Sequence, residues 1–361
     1  MKLNTNYLCA LTYTEINLKD LELEILSASG LEDEEESGVG IKGMKPLTET
    51  ALKHLCSYLK IPYPFTKQIR SQGRSNVLTY IQRQLSQVNL SQVVLVGNKD
   101  VILGITDDEK LHYRGQDFLT FDAKVRAHIG SSELLTLDDV VVEDGLVNYY
   151  IFYKQESDEI EDNSNWKWGF VFSLSAHGDV KPTVCATVKR MRDVSIAHLP
   201  AKTHSYPLEY ADTFDERWEQ VAKFLQDPPL PQWAMLHGMI EKMNKTIASF
   251  REVKETRSKL QKLKVDADDT ETLERINNTL QWKRINKEYA IKDLGYKPTK
   301  VWFSRATTPL TLFEVFNCVT KEATSAPNTL AYEVRKNLYS YAGSLLMGKP
   351  DLYMLPPVIN W

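Results

Sequence analysis

The sequence predicts an α+β fold: a central antiparallel sheet with amphipathic helices, and a long αα-hairpin in the C-terminal half. Three observations predict it. In the middle of the chain, apolar residues alternate with polar ones or sit in short runs bounded by turn residues. On either side, apolar residues recur every three to four positions, the period of a helix with one buried face. The longest such pattern runs from Leu236 to Leu263 and resumes after a break at residues 265–270. Four segments follow: residues 1–44 as an N-terminal strand and acidic loop, 45–231 as the α+β core, 232–298 as the helical hairpin, and 299–361 as C-terminal helices with an apolar tail packing on the core.

Over residues 20–26, Leu21, Leu23 and Ile25 alternate with Glu22 and Glu24, the period of a half-buried strand. Residues 27–43 are rich in Gly, Ser and Glu and form a loop. Thr48 caps a helix over residues 48–60 that buries Leu52, Leu55, Cys56 and Leu59, and Pro62 and Pro64 stop it. A second helix, residues 75–87, aligns Val77, Ile81, Leu85 and Val88. Strands at 93–96 and 101–105 flank the turn Gly97-Asn98-Lys99-Asp100. Strands at 137–142 and 146–153 flank Glu143-Asp144-Gly145, and Asp-Gly between apolar runs is a strong hairpin signal.

A strand over 166–174 places Trp166, Trp168, Phe170 and Phe172 on one face, with 184–188 as its partner and 155–165 as an exposed tip. Those rings could stack on bases, but large aromatics are usually buried, which favours core. The segment 200–231 is punctuated by proline around a short helix at 215–226. In the hairpin, Leu236, Ile240, Met243, Ile247, Phe250, Val253, Leu260 and Leu263 mark one helix of about eight turns. Leu273, Ile276, Leu280, Ile291 and Leu294 mark the returning helix. Pro309 falls in the first turn of a helix running to residue 324. Leu330, Val334, Leu338, Tyr341 and Leu345 form a final helix before Pro350. The tail 351–361 carries Met354, Leu355, Val358, Ile359 and Trp361, so it docks on its own domain or on a partner.

Composition bounds the function. At 361 residues, with 42 % hydrophobic and 25 % charged positions, the chain has the make-up of a globular protein. No apolar run approaches the roughly 18 residues of a spanning helix, and the start lacks a basic-then-apolar leader. The expected location is therefore the cytoplasm. Cys9, Cys56, Cys185 and Cys318 lie far apart with no C-x-x-C spacing, against structural zinc and against a disulfide scaffold. A net charge of -4 argues against a surface that tracks phosphate throughout.

That average hides a division. Residues 50–99 contain no Asp or Glu, yet carry Lys53, Lys60, Lys67, Arg70, Arg74, Arg83 and Lys99 among Tyr58, Tyr63, Phe65 and Tyr80. Positive charge beside flat rings is what single-stranded nucleic-acid sites combine. In that reading Lys53, Lys60, Lys67, Arg70, Arg74 and Arg83 neutralise phosphates while Tyr58, Tyr63 or Phe65 stacks on bases. The plainer reading is a solvated helical face, which charge runs usually are. The acidic run Glu32 to Glu36 is either a solvated loop or a phosphate mimic that folds back over the basic face. Lys189, Arg190 and Arg192 form a small second basic cluster, and residues 242–264 of the hairpin carry a positive excess.

The order of these parts resembles the phage/plasmid-like protein family of unknown function. The residues that carry the resemblance are Leu59-Lys60-Ile61-Pro62 after the first helix and Asn317, Val319 and Thr320 in the helix before the last. It spans residues 45–346, and departs from the family in the central sheet, where Cys185 is followed by Ala186-Thr187 instead of Asn-Gly. The resemblance implies a virus or mobile-element context and no catalytic residues.

Motifs for phosphate-binding loops, dinucleotide loops, zinc proteases and serine hydrolases are absent from the sequence. Asp107, Asp108 and Glu109 follow a strand and could hold a metal in a nuclease-like site, though acidic turns are common. The expectation is a non-enzymatic nucleic-acid-binding protein of phage or plasmid DNA metabolism, single strands favoured, with no cofactor, no metal and no membrane. The alternatives are a structural or protein-interaction component acting through the hairpin or tail, as a homo-oligomer or on a host protein, and a metal-dependent nuclease.

Overall fold

The computed structural model describes residues 10–26, 38–62, 74–87, 92–107, 114–143, 145–157, 164–177, 183–199, 205–208, 213–264, 270–289, 299–324 and 332–347. In chain order the elements are β1 (Thr12–Asn17), β2 (Leu23–Leu26), β3 (Gly38–Ile41), α1 (Glu49–Tyr58), α2 (Arg74–Leu85), β4 (Gln92–Gly97), β5 (Ile102–Thr106) and α3 (Gly115–Ser131). Next come β6 (Leu135–Glu143), β7 (Leu146–Glu156), β8 (Trp166–Ser175), β9 (Thr183–Arg190), β10 (Ile196–His198), β11 (Ser205–Pro207) and α4 (Phe214–Gln226). The C-terminal part holds α5 (Trp233–Lys245), α6 (Phe250–Lys264), α7 (Thr270–Thr279), β12 (Trp282–Tyr289), β13 (Thr299–Ala306), α8 (Leu312–Thr324) and α9 (Tyr332–Leu346).

The fold is α+β. Its central antiparallel sheet runs β10-β9-β8-β7-β6, with β11 beside β9. Smaller sheets are β1-β4-β5, β2-β3 and β12-β13. Two compact units divide the chain: Met1–Ile151, Phe172–Val184 and Pro207–Pro228 form the first, and Phe152–Val171, Cys185–Tyr206 and Pro229–Trp361 the second.

In the first unit the helical faces read from sequence are the buried ones. Leu52, Leu55, Cys56 and Leu59 of α1 and Val77, Ile81 and Leu85 of α2 pack with Val93, Leu95, Ile102 and Ile105. Each large side chain buried this way contributes on the order of 1.5–3 kcal/mol. Gln82 ties α2 to the start of β2, accepting from Leu23 N at 2.9 Å and donating to Leu21 O at 3.0 Å. The turn after β4 is held by the Asn98 side chain, which accepts from Asp100 N and Val101 N at 2.8 and 2.9 Å. Gly145, at φ +75°, supplies the left-handed residue between β6 and β7. A Cβ there would lie 2.8 Å from the buried ring of His177.

Helix α3 was not expected from the pattern. Phe118, Phe121, Val125 and Ile129 do share its inner face, but Asp122 interrupts the stripe and is itself buried. Arg126, one turn later, donates to the Asp122 carboxylate at 2.8 Å, which lets a charge sit on an apolar face. Phe121 stacks on Phe172 at 5.4 Å and meets Trp218 of α4 edge-on at 5.6 Å.

The second unit differs from the expected pattern in three places. The single helix of about eight turns is two helices, α5 and α6, whose close pairing is consistent with an αα-hairpin. Residues 246–249 leave the helix to bond elsewhere: Ala248 N donates to Leu310 O at 2.7 Å and Leu312 N to Thr246 O at 2.9 Å. Ser249 then restarts it, since Ser249 Oγ accepts from Glu252 N and the Glu252 carboxylate accepts from Ser249 N, a capping box. The returning helix stops at Thr279, and Gln281 at φ 50° turns the chain into β12, which pairs antiparallel with β13. Of the residues expected to extend that helix, Ile291 and Leu294 lie outside the described set. Helix α8 begins at Leu312, after Pro309, because Thr311 and Glu314 form another capping box.

Trp166, Trp168 and Phe170 are core, each no more than 1 % exposed. Trp166 packs on Phe316 of α8, and Trp168 on Trp233 of α5. Against β10 lies α9, with the Tyr339 ring 5.2 Å from that of His198. Burial, with a further contribution from the Lys336 charge, pushes the His198 imidazole down to about 3, so it is neutral. Among the described residues no helix is long and apolar enough to cross a membrane.

Candidate nucleic-acid interface

Thr48 starts α1 by accepting from Ala51 N at 3.1 Å, and its hydroxyl also donates to Leu103 O. The apolar face then turns inward, which puts Ser57 and Lys60 outside and Lys53 at the margin. On α2 the same logic exposes Asn76, Thr79 and Arg83, followed by Ser86 and Gln87. The outward positions of these helices between residues 50 and 87 thus carry positive or neutral groups and no carboxylate. Tyr58, from the predicted set, and Tyr80 are half-buried and pack against the core of this unit. Lys67, Arg70, Tyr63 and Phe65 lie outside the described residues, as do the Arg74 side chain and Glu32 to Glu36.

Lys60 has an unusual backbone. Ile61 N bonds to Cys56 O at 2.8 Å and Lys60 N to Ser57 O at 3.0 Å, the paired bonds of a helix end that normally uses glycine. Lys60 stands in that position at φ 55°. A lysine there gives up stability that glycine would not, and keeps an exposed ammonium at the helix end. We therefore expect Lys60→Gly to raise stability by about 0.5–1 kcal/mol in urea unfolding. The same variant should bind nucleic acid more weakly.

A ring surface absent from the sequence reading stands in the second unit. Phe250 and Arg257 are seven residues apart on α6, about 10.5 Å along the axis. The Trp282 ring is stacked 5.5 Å from Phe250, and the Arg257 guanidinium lies 5.0 Å from the Trp282 centroid. Trp282 thus contacts both residues of α6, joining Phe250 and Arg257 in a column of three contacting groups. Arg257 is fixed by donating from Nε to Asn277 Oδ1 at 2.7 Å, and burial lowers its pKa. Trp282 is buried, whereas Phe250 at the end of the column is 47 % exposed. Lys254 is exposed one turn along from Phe250. An open aromatic end beside a cation is what a base can extend.

No family model matches the chain, and neither a curated protein nor a solved structure does.

The remaining predicted chemistry is placed as follows. Asp107 is half-buried, while Asp108 and Glu109 lie outside the described residues. No group of three or more His, Cys, Asp or Glu able to hold a metal occurs among the described residues. In the second basic cluster Lys189 and Arg190 are buried, with Lys189 over the Phe152 ring, and only Arg192 faces out. The spacing of Phe250 and Arg257 was visible in the sequence. What it lacked was Trp282, brought in by a strand that the helical reading had passed over.

Proposed function

We propose that this protein binds single-stranded nucleic acid as a non-enzymatic factor, in the phage or plasmid setting that the resemblance of residues 45–346 implies. The observation that carries the proposal is the column Arg257–Trp282–Phe250, whose last ring is exposed. The outward positions of α1 and α2 between residues 50 and 87, which carry no carboxylate, support it independently by offering a second place for phosphate. Stacking accepts any base and phosphate contact any sequence, so the expected specificity is for strandedness.

Fluorescence anisotropy with a labelled oligothymidylate over a salt series tests this. Log affinity should fall linearly with log salt, by roughly 0.7 per phosphate neutralised. Lys60→Glu with Arg83→Glu should make that slope shallower. Phe250→Ala should weaken binding by about 1–3 kcal/mol and leave the slope unchanged, because stacking releases no counterion. Absence of binding to single strands at low salt would overturn the proposal. Equal affinity for duplex and single strand would remove its stacking part.

A further inference from the structure

Half of the methionines of this chain gather in one place. Of eight in the sequence, Met235, Met239, Met243 and Met347 line a single groove of 240 Å³ in the second unit, together with Leu312 and Leu346. Three of them are spaced four apart on α5, so they share one face, with neighbouring Cβ atoms about 5–6 Å apart. Met347 joins them from the residue that follows α9. Met243 is buried, while Met235, Met239 and Met347 are half-buried, so the thioether lining is reachable from solvent. All four lie within the described residues; the apolar tail at 351–361 lies outside them.

An apolar wall alone does not call for this composition. Leucine and isoleucine fill space with better-defined rotamers, and methionine differs from them in its long flexible arm and polarizable sulfur. Thioethers are soft, neutral ligands that select Cu(I), whereas Mg²⁺, Ca²⁺ and Mn²⁺ suit oxygen donors. Among the described residues that line the groove there is no carboxylate, thiol or imidazole, and the one ionisable side chain is Lys242. Its charge opposes a divalent ion about twice as strongly as a monovalent one, because Coulomb energy scales with the product of the charges. We propose that Met235, Met239, Met243 and Met347 form a thioether site for a soft monovalent cation, Cu(I), with Ag(I) as its redox-stable analogue. The rotatable bonds of each arm let sulfurs on successive turns and at the end of α9 converge on one ion. No ligand has to lose a proton, so affinity stays constant between about pH 6 and 8, where a histidine or cysteine site gains affinity as pH rises.

Titration with Ag(I) tests the proposal on the full-length protein, isotope-labelled at its methionine methyl groups, with accessible thiols first alkylated by iodoacetamide. One equivalent should shift the four groove resonances together in two-dimensional NMR, each assigned by a single leucine substitution. The resonance of Met44, exposed in the first unit, should stay in place. Met239→Leu with Met347→Leu keeps the volume and apolar character of the groove, a swap that packed sites tolerate. It should weaken Ag(I) binding by about a hundredfold, since losing even an outer-shell partner of a metal costs roughly 10–100-fold. The pattern in the unsubstituted protein tests the site independently of how that variant folds. Four results would overturn the proposal: groove resonances that do not move at one equivalent, a Met44 resonance that moves in step with them, an equal response to Zn²⁺, or an affinity that the double variant leaves unchanged.

Discussion

Gly343→Ala is expected to destabilise the protein by about 3 kcal/mol or more, read as a lower midpoint in urea unfolding. Gly343 lies on α9 where that helix meets β10, and an added Cβ would stand 1.8 Å from the His198 carbonyl oxygen and 2.6 Å from its carbon. Both are backbone atoms, so no rotamer change relieves the overlap and the helix must move off the strand. The movement would also disturb His198 and Tyr339, which meet at this contact. His198 would gain water, and its imidazole, held far below its ordinary value by burial, would become protonatable near neutral pH. Gly130→Ala makes the control. Gly130 is exposed on α3 with nothing within 4 Å of its Cβ position, so alanine there should stabilise by about 0.5–1 kcal/mol. Two helical glycines thus give shifts of opposite sign, and similar small shifts at both would contradict the packing of α9 on β10.

Local signals in the sequence were sufficient wherever the structure is decided locally. Thr48 and the Leu52–Leu55–Cys56–Leu59 stripe defined α1, and Asn98 and Gly145 marked their turns. Tertiary partners decided the rest. Leu236 to Leu263 keeps a helical period across the break at 246–249 because the backbone bonds that open it go to Leu310 and Leu312, more than sixty positions away. The capping box at Ser249 and Glu252 was the available sign of that break. The strand β12 needs Val301 and Phe303 opposite Lys287 and Ile285, a pairing no window of ten residues contains. For the same reason the charge half of the candidate site was legible as a missing residue type, whereas the ring half was not. Phe250 reads as one more apolar position until β12 sets Trp282 against it.

Asn317, on α8, leads to the other large effect. Its Oδ1 accepts from Arg190 Nη1 at 2.7 Å. Arg190 is buried, and its guanidinium lies 5.8 Å from the Trp166 ring centroid and 5.5 Å from that of Phe313. Its Nε donates to Asp193 Oδ1 at 2.9 Å, and its Nη2 to Asp193 Oδ2. The same turn holds Val194 at φ 60°, a backbone that a β-branched residue adopts only when its surroundings impose it. The Arg190 fork on Asp193 closes this turn together with the bonds from Ser195 N to Asp193 Oδ1 and from Arg190 N to Ser195 O. Arg190→Ala should therefore cost about 3 kcal/mol, toward the low end for a broken buried pair because the Asp193 side chain is 42 % exposed and can rehydrate. Arg190→Lys should recover little of that, since an ammonium cannot bond Asp193 twice, reach Asn317 and lie flat between two rings. Burial raises the Asp193 pKa, but hydrogen bonds from Arg190 and Ser195 and the Arg190 charge outweigh it and hold the carboxyl below its usual range. A carboxyl depressed on folding gives stability that is full above its unfolded value, about 3.9, and is lost as pH falls through the folded value. Asp193→Asn should accordingly flatten the decline of stability below about pH 4 as well as lowering stability at pH 7. An acid limb unchanged in Asp193→Asn, measured by urea unfolding at stepped pH, would show that the fork does not hold this turn.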